Sequence, residues 1–469
     1  MRTIAWMGPT RTPAPNDGGI PGRTWSRSAL LGVALLSVLG CAGDSTAPTF
    51  PISFGVTPES GSTGTDFVCT IAGDPGPDDT LTRVRWDFEN DGVWDTEWST
   101  DRSVTHRFDT AGEKTIRLEA QLLGGASGSA ERGVSVVGAG WWDGFGAPPT
   151  GQGLNESALI AQPYQGGLAV GGNFTVAGST SANRLALWDG DSWSAIGPGL
   201  NGAVVTLGTF GPDLIVAGNF SRAGEVDATR IARWDGAAWH ALGAGFDTSP
   251  YAIMTYHDSL FAVGPFTLSG TDSVDYVAKW DGESWRSVRT GFTNDAYCAT
   301  IWRDRLVVGG ALRRSGDTSR SSIAAYDGLG WTYIDGLDDT AYALTVWNDE
   351  LVAGGFFRTA GSLTVNRIAR WDGLTWRGFG DGLSDWVTAL TVYRGDLVAT
   401  GRFPLAGTAQ VNGIARWNGT QWRPFQSGLS GFAQTTPWWL ATQGDHLYVV
   451  GELLAAGGRP SLYIARWED

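Results

Sequence analysis

The sequence predicts an all-β protein in which a small β-sandwich precedes a seven-bladed β-propeller closed by strand exchange between its termini. Its 469 residues include 24 Trp and 68 Gly but only 3 Met, a composition typical of many short strands joined by tight turns. Short apolar segments with alternating polarity recur from residue 51 onward. From residue 138 onward, two sequence markers return together at one period, which indicates a repeat architecture.

The first 41 residues have the features of an export signal. Basic residues precede an apolar stretch, 28–40, that is too short to span a bilayer permanently. It ends in Val38-Leu39-Gly40-Cys41, which resembles the lipobox of bacterial lipoproteins. The resemblance implies acylation of Cys41, a membrane as partner, and a location in the bacterial envelope, at the outer membrane or cell surface. A secretory signal with a chance Cys explains the same residues. Residues 42–50 form a short tether.

Residues 51–137 are predicted to form the small sandwich. Segments 67–71, 84–88 and 114–118 each place apolar residues on one face at period two. The order Trp86-Asp87-Phe88, then 104–108, then 111–116 resembles the PKD domain, an immunoglobulin-like module of bacterial surface proteins. The resemblance implies a PKD-like fold for nearly the whole segment.

A calcium site is predicted in this sandwich. Oxygen ligands stand at loop positions 1, 3, 5 and 9, with Gly92 at position 6, as in the first half of a calcium loop. The candidate ligands are Asp87, Glu89, Asp91 and Asp95. The closing Glu is missing because Trp98 stands at position 12, and a polar hairpin without metal explains the same residues.

Residues 138–469 contain the repeats. The Trp-Asp-Gly marker returns at intervals of 45 or 46 residues, with a last interval of 50, at Trp142, Trp188, Trp234, Trp280, Tyr326, Trp371, Trp417 and Trp467. A glycine that closes an apolar run keeps the same phase at Gly172, Gly218, Gly264, Gly310, Gly355, Gly401 and Gly451. One repeat contains four predicted strands, 203–209, 214–218, 230–234 and 239–242, which is the content of a propeller blade.

The two ends of the array complement each other. The chain stops at Trp467-Glu468-Asp469, before a fourth strand. Residues 141–154 align without gaps on 187–200, which contain one, and this alignment places Ala147 where Trp193 stands. The start of the array is therefore expected to supply the missing strand and to close a ring of seven blades.

The repeat resembles two known propeller types. A strand ending in Gly-Gly, followed by a strand ending in Trp-Asp-Gly, resembles Kelch repeats. The fuller pattern in 355–361 and 368–373 is similar to the propeller of the fungal cortical cell-polarity markers and their bacterial look-alikes. The resemblance implies a fold and an exposed location, and no function follows from it.

A binding surface is expected on the face formed by the inter-blade connections and the long loops between second and third strands, because these segments vary most. Aromatic platforms beside carboxylates suit sugars or peptides. The candidate ligand-binding residues are Asp247, Asp295, Asp338, Asp339, Asp385, Trp386, Trp438 and Trp439. Turn-capping by the Asp residues and core packing of the Trp pair explain the same residues.

Several functions are disfavoured. A net charge of −15 argues against a nucleic-acid partner. The four His have no metal-ligand spacing, no catalytic constellation is found, and no cofactor is required beyond the candidate calcium. Cys69 and Cys298 are expected to be buried free thiols, and Arg394-Gly395-Asp396 a hairpin turn rather than an adhesion motif.

The predicted function is that of a surface-anchored binding or scaffolding lipoprotein, not an enzyme. Its propeller would recognise a glycan, a peptide or an envelope protein. The alternatives are a glycan-active hydrolase or lyase that uses carboxylates of the variable face, and a structural coat or matrix component.

Overall fold

The computed structural model describes residues 50–62, 65–72, 81–108, 110–138, 140–142, 144–146, 151–289, 291–316, 321–431 and 436–468. The predicted signal and Cys41 lie outside the described residues. Thr49–Asp469 forms one compact unit. The described part is all-β, which confirms the all-β part of the predicted fold class. Across these ranges, no helical segment has the length and apolarity that a membrane crossing requires.

The N-terminal part of this unit contains two sheets with a shared core. The strands alternate: in Phe67–Ala72, Phe67 and Cys69 point into the core while Val68 and Thr70 face solvent. Cys69 is a buried free thiol, as predicted. One sheet has three strands, Ser53–Thr57, Phe67–Ala72 and Ser103–His106, and the other has four, Ser60–Ser62, Ser127–Val137, Gly112–Leu122 and Leu81–Asp87.

The remaining described residues contain seven four-stranded antiparallel sheets. Within each sheet the strands lie side by side in the order given below, from the first strand to the fourth. Sheets 1 and 2 consist of Ala158–Tyr164, Gly167–Gly172, Leu185–Trp188 and Trp193–Ala195, and of Val204–Phe210, Asp213–Gly218, Ile231–Trp234 and Trp239–Ala241. Sheets 3 and 4 consist of Ala252–Tyr256, Ser259–Val263, Val277–Trp280 and Trp285–Ser287, and of Ala296–Trp302, Arg305–Gly310, Ile323–Tyr326 and Trp331–Tyr333. Sheets 5 and 6 consist of Ala341–Trp347, Glu350–Gly355, Ile368–Trp371 and Trp376–Gly378, and of Val387–Tyr393, Asp396–Gly401, Ile414–Trp417 and Trp422–Pro424. Sheet 7 consists of Thr436–Gln443, His446–Glu452, Ile464–Glu468 and Gly140–Trp141.

The sheets pack face to face around a circle. Each buried cluster combines residues of two consecutive sheets. A further cluster joins Tyr448 and Val450 of sheet 7 to Val170 and Ala186 of sheet 1. Large aromatic side chains fill the spaces between neighbouring sheets; for example, Trp188 and Trp285 are almost completely buried.

The glycines that end the second strands are required because the backbone of the facing first strand lies too close for a side chain. A Cβ at Gly355 would lie 2.1 Å from the Thr340 carbonyl oxygen, because the facing first strand changes register between Ala341 and Ala343. Only glycine fits opposite such a bulge. The same approach, at 2.1 to 2.3 Å from a carbonyl oxygen, occurs at Gly172, Gly218, Gly310 and Gly401.

The Trp-Asp-Gly marker is a hairpin turn between third and fourth strands. The Asp235 carboxylate accepts hydrogen bonds from the amides of Ala237 (2.9 Å) and Ala238 (2.8 Å), while Gly236 takes a φ of 96°. The Ala238 amide is the main reason why the pKa of Asp235 is held well below its usual range. Equivalent bonds are made by Asp189, Asp281, Asp327, Asp372 and Asn418.

The closing strand lies where the ungapped alignment did not place it. Gly140–Trp141 pairs with the third strand of sheet 7, and Trp141 faces Trp467 as Trp193 faces Trp188. Trp141 therefore occupies the position that the alignment gave to Ala147, which lies outside the described residues. The connection to sheet 1 is six residues longer than its counterpart, so the alignment in this stretch was wrong.

The segments between second and third strands also differ from the prediction. They were expected to be variable loops, yet in six sheets they contain the same short ribbon within the described residues. The ribbons are Val176–Ala177 with Thr180–Ser181, Arg222–Ala223 with Val226–Asp227, Leu268–Ser269 with Asp272–Ser273, Thr359–Ala360 with Leu363–Thr364, Leu405–Ala406 with Ala409–Gln410, and Ala455–Ala456 with Arg459–Pro460. In sheet 4, Phe292–Thr293 pairs with Arg313–Arg314 instead, and Leu429–Ser430 adds a third strand to the ribbon of sheet 7. The inter-sheet connections are therefore the more variable part of this face.

Candidate functional site

Three tyrosines stand at equivalent positions where the first strands of sheets 3, 4 and 5 begin. First strands of neighbouring sheets contact one another around the circle, so they are the innermost strands. The Tyr251 and Tyr297 rings lie 6.0 Å apart between centroids, and the Tyr297 and Tyr342 rings 5.2 Å, at interplanar angles of 29° and 30°. All three side chains are half-buried. They form a row of rings along the inner edge of three sheets.

Two further rings continue this row. Trp386 meets Tyr342 edge to face at 5.8 Å, and Phe356 meets Trp386 in the same way at 6.2 Å. Phe356 is 42% exposed although it is large and apolar. Together, Tyr251, Tyr297, Tyr342, Phe356 and Trp386 are called the aromatic arc below. Of these five residues the sequence predicted only Trp386 as a site residue, because the ring contacts join residues 30 to 46 positions apart in the chain.

Tyr251 and Tyr297 of the arc are neutral hydrogen-bonding groups. Burial raises the pKa of Tyr297 and of Tyr251, and the negative charge of Asp295 adds to both shifts. The Tyr297 hydroxyl donates to Asp295 Oδ2 at 3.3 Å. Asp295, a residue predicted from the sequence, therefore lies beside the arc.

Asp339 and Asp385 lie two residues before the first strands of sheets 5 and 6. Asp339 Oδ1 accepts the Thr340 amide at 2.7 Å, and Asp385 Oδ1 accepts the Trp386 amide at 2.8 Å. The guanidinium of Arg367 lies 4.5 Å from the Phe356 ring centroid. Burial lowers the pKa of Arg367 and nearby Arg358 adds to this, while both aspartates act in the opposite direction.

Asp247 and Asp338 make structural contacts. Asp338 Oδ1 accepts the amides of Arg358 (2.8 Å) and Thr359 (3.0 Å), and Asp247 binds the corresponding amides of its own repeat. Burial acts to raise the pKa of Asp338, but hydrogen bonds from these amides outweigh it and hold the pKa below its usual range. Asn155 and Asn201 make the same contacts in sheets 1 and 2. The two aspartates therefore cap turns, as the structural alternative stated.

The tryptophan pair is divided between two environments. Trp439 packs against the buried clusters on both sides of sheet 1. Trp438 stands at the strand position of the three arc tyrosines and is half-buried. Among the described residues, its buried indole N–H has no hydrogen-bond acceptor. Trp438 therefore lies at the inner edge of sheet 7, whereas Trp439 belongs to the core.

A cavity of about 410 Å³ lies beside the arc, between sheets 5 and 6. Its lining includes Arg358, Arg367, Asp381 and Ser384. Because Arg367 also contacts Phe356, the cavity and the exposed end of the arc share one side chain.

The predicted calcium ligands are engaged with their own loop. Asp87 accepts the amides of Asp91 (3.2 Å) and Gly92 (3.0 Å), and Asp95 accepts the Phe88 amide at 2.7 Å. Glu89 Oε1 lies 3.6 Å from His106 Nε2. In the part of the chain that the structure describes, no group of three or more His, Cys, Asp or Glu side chains could hold a metal ion. The calcium site stays a prediction, which a calcium titration followed by thermal unfolding would test.

His106 is expected to make the sandwich sensitive to acid. Its ring stacks on Phe88 at 3.8 Å, and burial lowers its pKa to about 4, with a smaller opposing effect from Asp95. Between pH 6.5 and 4, the His106 imidazole is therefore mostly protonated in the unfolded chain and mostly neutral in the folded chain. The free energy of unfolding falls as the pH is lowered through this range. In urea unfolding, His106→Phe should reduce the loss of stability between pH 6.5 and 4. The stability of the variant at pH 7.5, where His is neutral in both states, reports packing alone. An unchanged pH slope would contradict the expectation.

Comparisons with known proteins agree with the fold. Residues 148–332 match the family described as the Rax2 C-terminal beta propeller domain. The chain contains a β-propeller-type domain. The matched segment extends from before sheet 1 into the fourth strand of sheet 4. No curated protein matches this chain in sequence.

Solved structures with similar features come from bacteria. The extracellular domain of a hybrid two-component system from B. thetaiotaomicron aligns with a TM-score of 0.47 at 11% identity, over 70% of this chain and 39% of that one. A second such domain from B. thetaiotaomicron aligns with a TM-score of 0.44 at 12% identity, over 67% of this chain and 40% of that one. The chain thus spans 39% and 40% of the lengths of these two domains. The PKD1 domain of the Vibrio cholerae metalloprotease PrtV aligns at 20% identity with a TM-score of 0.15, over 19% of this chain and 96% of that domain.

Proposed function

We propose that this protein is a surface-anchored binding lipoprotein whose propeller recognises a glycan at the aromatic arc. In this proposal Cys41 is acylated, residues 51–137 form a PKD-like domain, and the seven sheets are the blades of a ring closed by Gly140–Trp141. The lipobox-like segment supports the anchor. The contact of sheet 7 with sheet 1 supports the closed ring.

The single observation behind the binding proposal is the combination of an exposed ring with adjacent hydrogen-bonding groups. Phe356 is 42% exposed, and Trp386, which it meets edge to face, is half-buried, so this end of the arc offers apolar ring surface that suits the C–H faces of a sugar ring. The neutral Tyr297 hydroxyl and the Asp295 carboxylate are suited to bind sugar hydroxyls. A large exposed apolar residue among oriented polar groups is typical of ligand sites.

Binding is favoured over glycan cleavage by the state of the carboxylates. Cleavage needs two carboxyl groups that can face the scissile bond and exchange protons. Asp338 instead accepts two backbone amides, and Asp339 and Asp385 each accept one. These bonds hold the three carboxylates in fixed orientations, and they keep the pKa of Asp338 below its usual range, which suits recognition better than proton transfer.

The proposal is tested by screening the protein on a glycan array and measuring affinity for the strongest glycan by calorimetry. Tyr297→Ala and Trp386→Ala should each weaken binding at least about tenfold, which is about 1.4 kcal/mol. Val205→Ala changes the equivalent strand position in sheet 2 and Asp338→Asn keeps the turn contacts, so both controls should bind like the parent protein. Absence of glycan binding, or equal losses in the controls, would contradict the proposal.

A further inference from the structure

The sandwich contacts the propeller-type domain through Arg107, which directly follows the strand Ser103–His106. Its Nη1 donates to Asp396 Oδ1 at 3.0 Å, and its Nη2 donates to the Arg394 carbonyl oxygen at 3.2 Å. The same guanidinium also binds Asp66 of the sandwich, with Nη2 3.1 Å from Asp66 Oδ2. One side chain therefore joins a carboxylate of its own domain to the first-to-second turn of sheet 6.

This contact adds to a pattern of the repeat itself. An acidic residue also begins the second strand of sheets 2 and 5, where it pairs with an arginine of its own sheet. Asp213 binds Arg233 at 2.5 Å, and Glu350 binds Arg370 at 3.0 Å. In sheet 6 the corresponding Asp396 lies near Arg416 of its own sheet and is also bound by Arg107, from outside the sheet. The additional arginine thus occurs in a sheet that the sandwich contacts.

The turn that receives Arg107 is fixed from the other side. The Trp347 indole, buried in sheet 5, donates to the Gly395 carbonyl oxygen at 2.8 Å. Asp396 is only 7% exposed although it borders a turn. Burial raises its pKa, so the nearby guanidinium compensates a carboxylate that is partly withdrawn from water. The Arg394-Gly395-Asp396 tripeptide is thereby engaged within the molecule.

The contact region extends over two sheets. Beside Arg107, a cleft of about 490 Å³ is lined by Asp66, Thr105 and His106 of the sandwich. Across the cleft lie turn residues of sheets 5 and 6, namely Asn348, Gly395, Asn418 and Gly419, together with Trp347, Arg416 and Arg423. The first strands of sheets 5 and 6 begin beside Tyr342 and the aromatic arc, and these turns lie at the other end of the same strands.

We propose that the sandwich is a docked domain, held in one orientation on the turns of sheets 5 and 6 by Arg107, and not a freely moving spacer. Docking at this end leaves the aromatic arc at the other end uncovered. The proposal does not depend on the proposed ligand, because it concerns an interface between two parts of this chain.

The test measures the distance between the domains by double electron–electron resonance. Spin labels are placed on cysteines introduced at two strongly exposed positions, Leu123→Cys in the sandwich and Leu374→Cys in sheet 5, in the full chain with Cys41→Ser. The native Cys69 and Cys298 are buried, and burial raises their thiol pKa, to about 12 for Cys69, so they stay unlabelled. A docked domain gives one narrow distance distribution.

Arg107→Ala and Asp396→Asn should each broaden this distribution at least twofold, while an unchanged urea midpoint of the propeller shows that the fold persists. Asp213→Asn is the matched control, since it alters the equivalent acid of sheet 2, and should leave the distribution narrow. A broad distribution in the parent chain, no broadening in Arg107→Ala and Asp396→Asn, or equal broadening in the control would overturn the proposal.

Discussion

Replacing Trp141 by alanine is expected to lower the free energy of unfolding by about 4 kcal/mol, as is usual for the loss of a buried tryptophan. Trp141 is 1% exposed, its indole donates to the Phe425 carbonyl oxygen at 3.3 Å, and its ring lies 5.3 Å from that of Trp467. It is also one of only two residues in the strand that completes sheet 7. Its loss should therefore detach this strand from sheet 7 as well as leave a cavity.

Trp285→Ala is the matched control for this prediction. Trp285 begins the fourth strand of sheet 3, is equally buried, and donates to the Leu242 carbonyl oxygen at 3.1 Å. A short hairpin joins its strand to the third strand of sheet 3, so the strand keeps its place when the Trp285 side chain is removed. In urea unfolding, Trp141→Ala should lose at least as much stability and also unfold less cooperatively. A loss below about 1 kcal/mol would show that the strand Gly140–Trp141 contributes little to the stability of sheet 7.

Replacing Gly355 by alanine is expected to cost about 3 kcal/mol, at the upper end of the usual cost of overpacking. The added methyl group would lie 2.1 Å from the Thr340 carbonyl oxygen and 3.1 Å from the Ala341 Cα. Both are backbone atoms in a strand that also packs against sheets 4 and 6, so neither can shift without disturbing its neighbours. The measurement is the urea concentration at the unfolding midpoint, compared between variants whose free energy of unfolding has the same dependence on urea.

Gly330→Ala serves as the control for Gly355→Ala. Gly330 lies in the third-to-fourth turn of sheet 4, and a Cβ there would have no heavy atom within 4 Å. Alanine restricts the unfolded chain more than glycine, so this variant should be neutral or slightly more stable. Equal midpoints for the two variants would show that the bulge in the first strand can relax.

The regular parts of the fold could be predicted because their causes are local. The Trp-Asp-Gly turn needs a short acceptor and a positive φ within three residues, and Asp235 and Gly236 supply both. The strand-closing glycine faces a residue 15 positions earlier, within the same hairpin. These requirements repeat with each sheet, so they appear in the sequence as a period.

The site was harder to predict because its contacts join different repeats. Tyr297 and Tyr342 touch although 45 positions separate them, and neither differs by itself from a core tyrosine. The opposite error occurred at Asp247 and Asp338, whose charge suggested ligand contact. Asn155 and Asn201 make the same turn contacts and could have signalled the structural role.

The sequence by itself determined the all-β class, the period and the turn chemistry, because each depends on residues close together in the chain. The tertiary structure alone decided that Trp141 completes the last sheet, that five rings from four sheets form one row, and that Arg107 binds Asp396. Each of these depends on which distant segments become neighbours when the sheets pack in a circle, and packing geometry leaves no periodic trace at the individual residue.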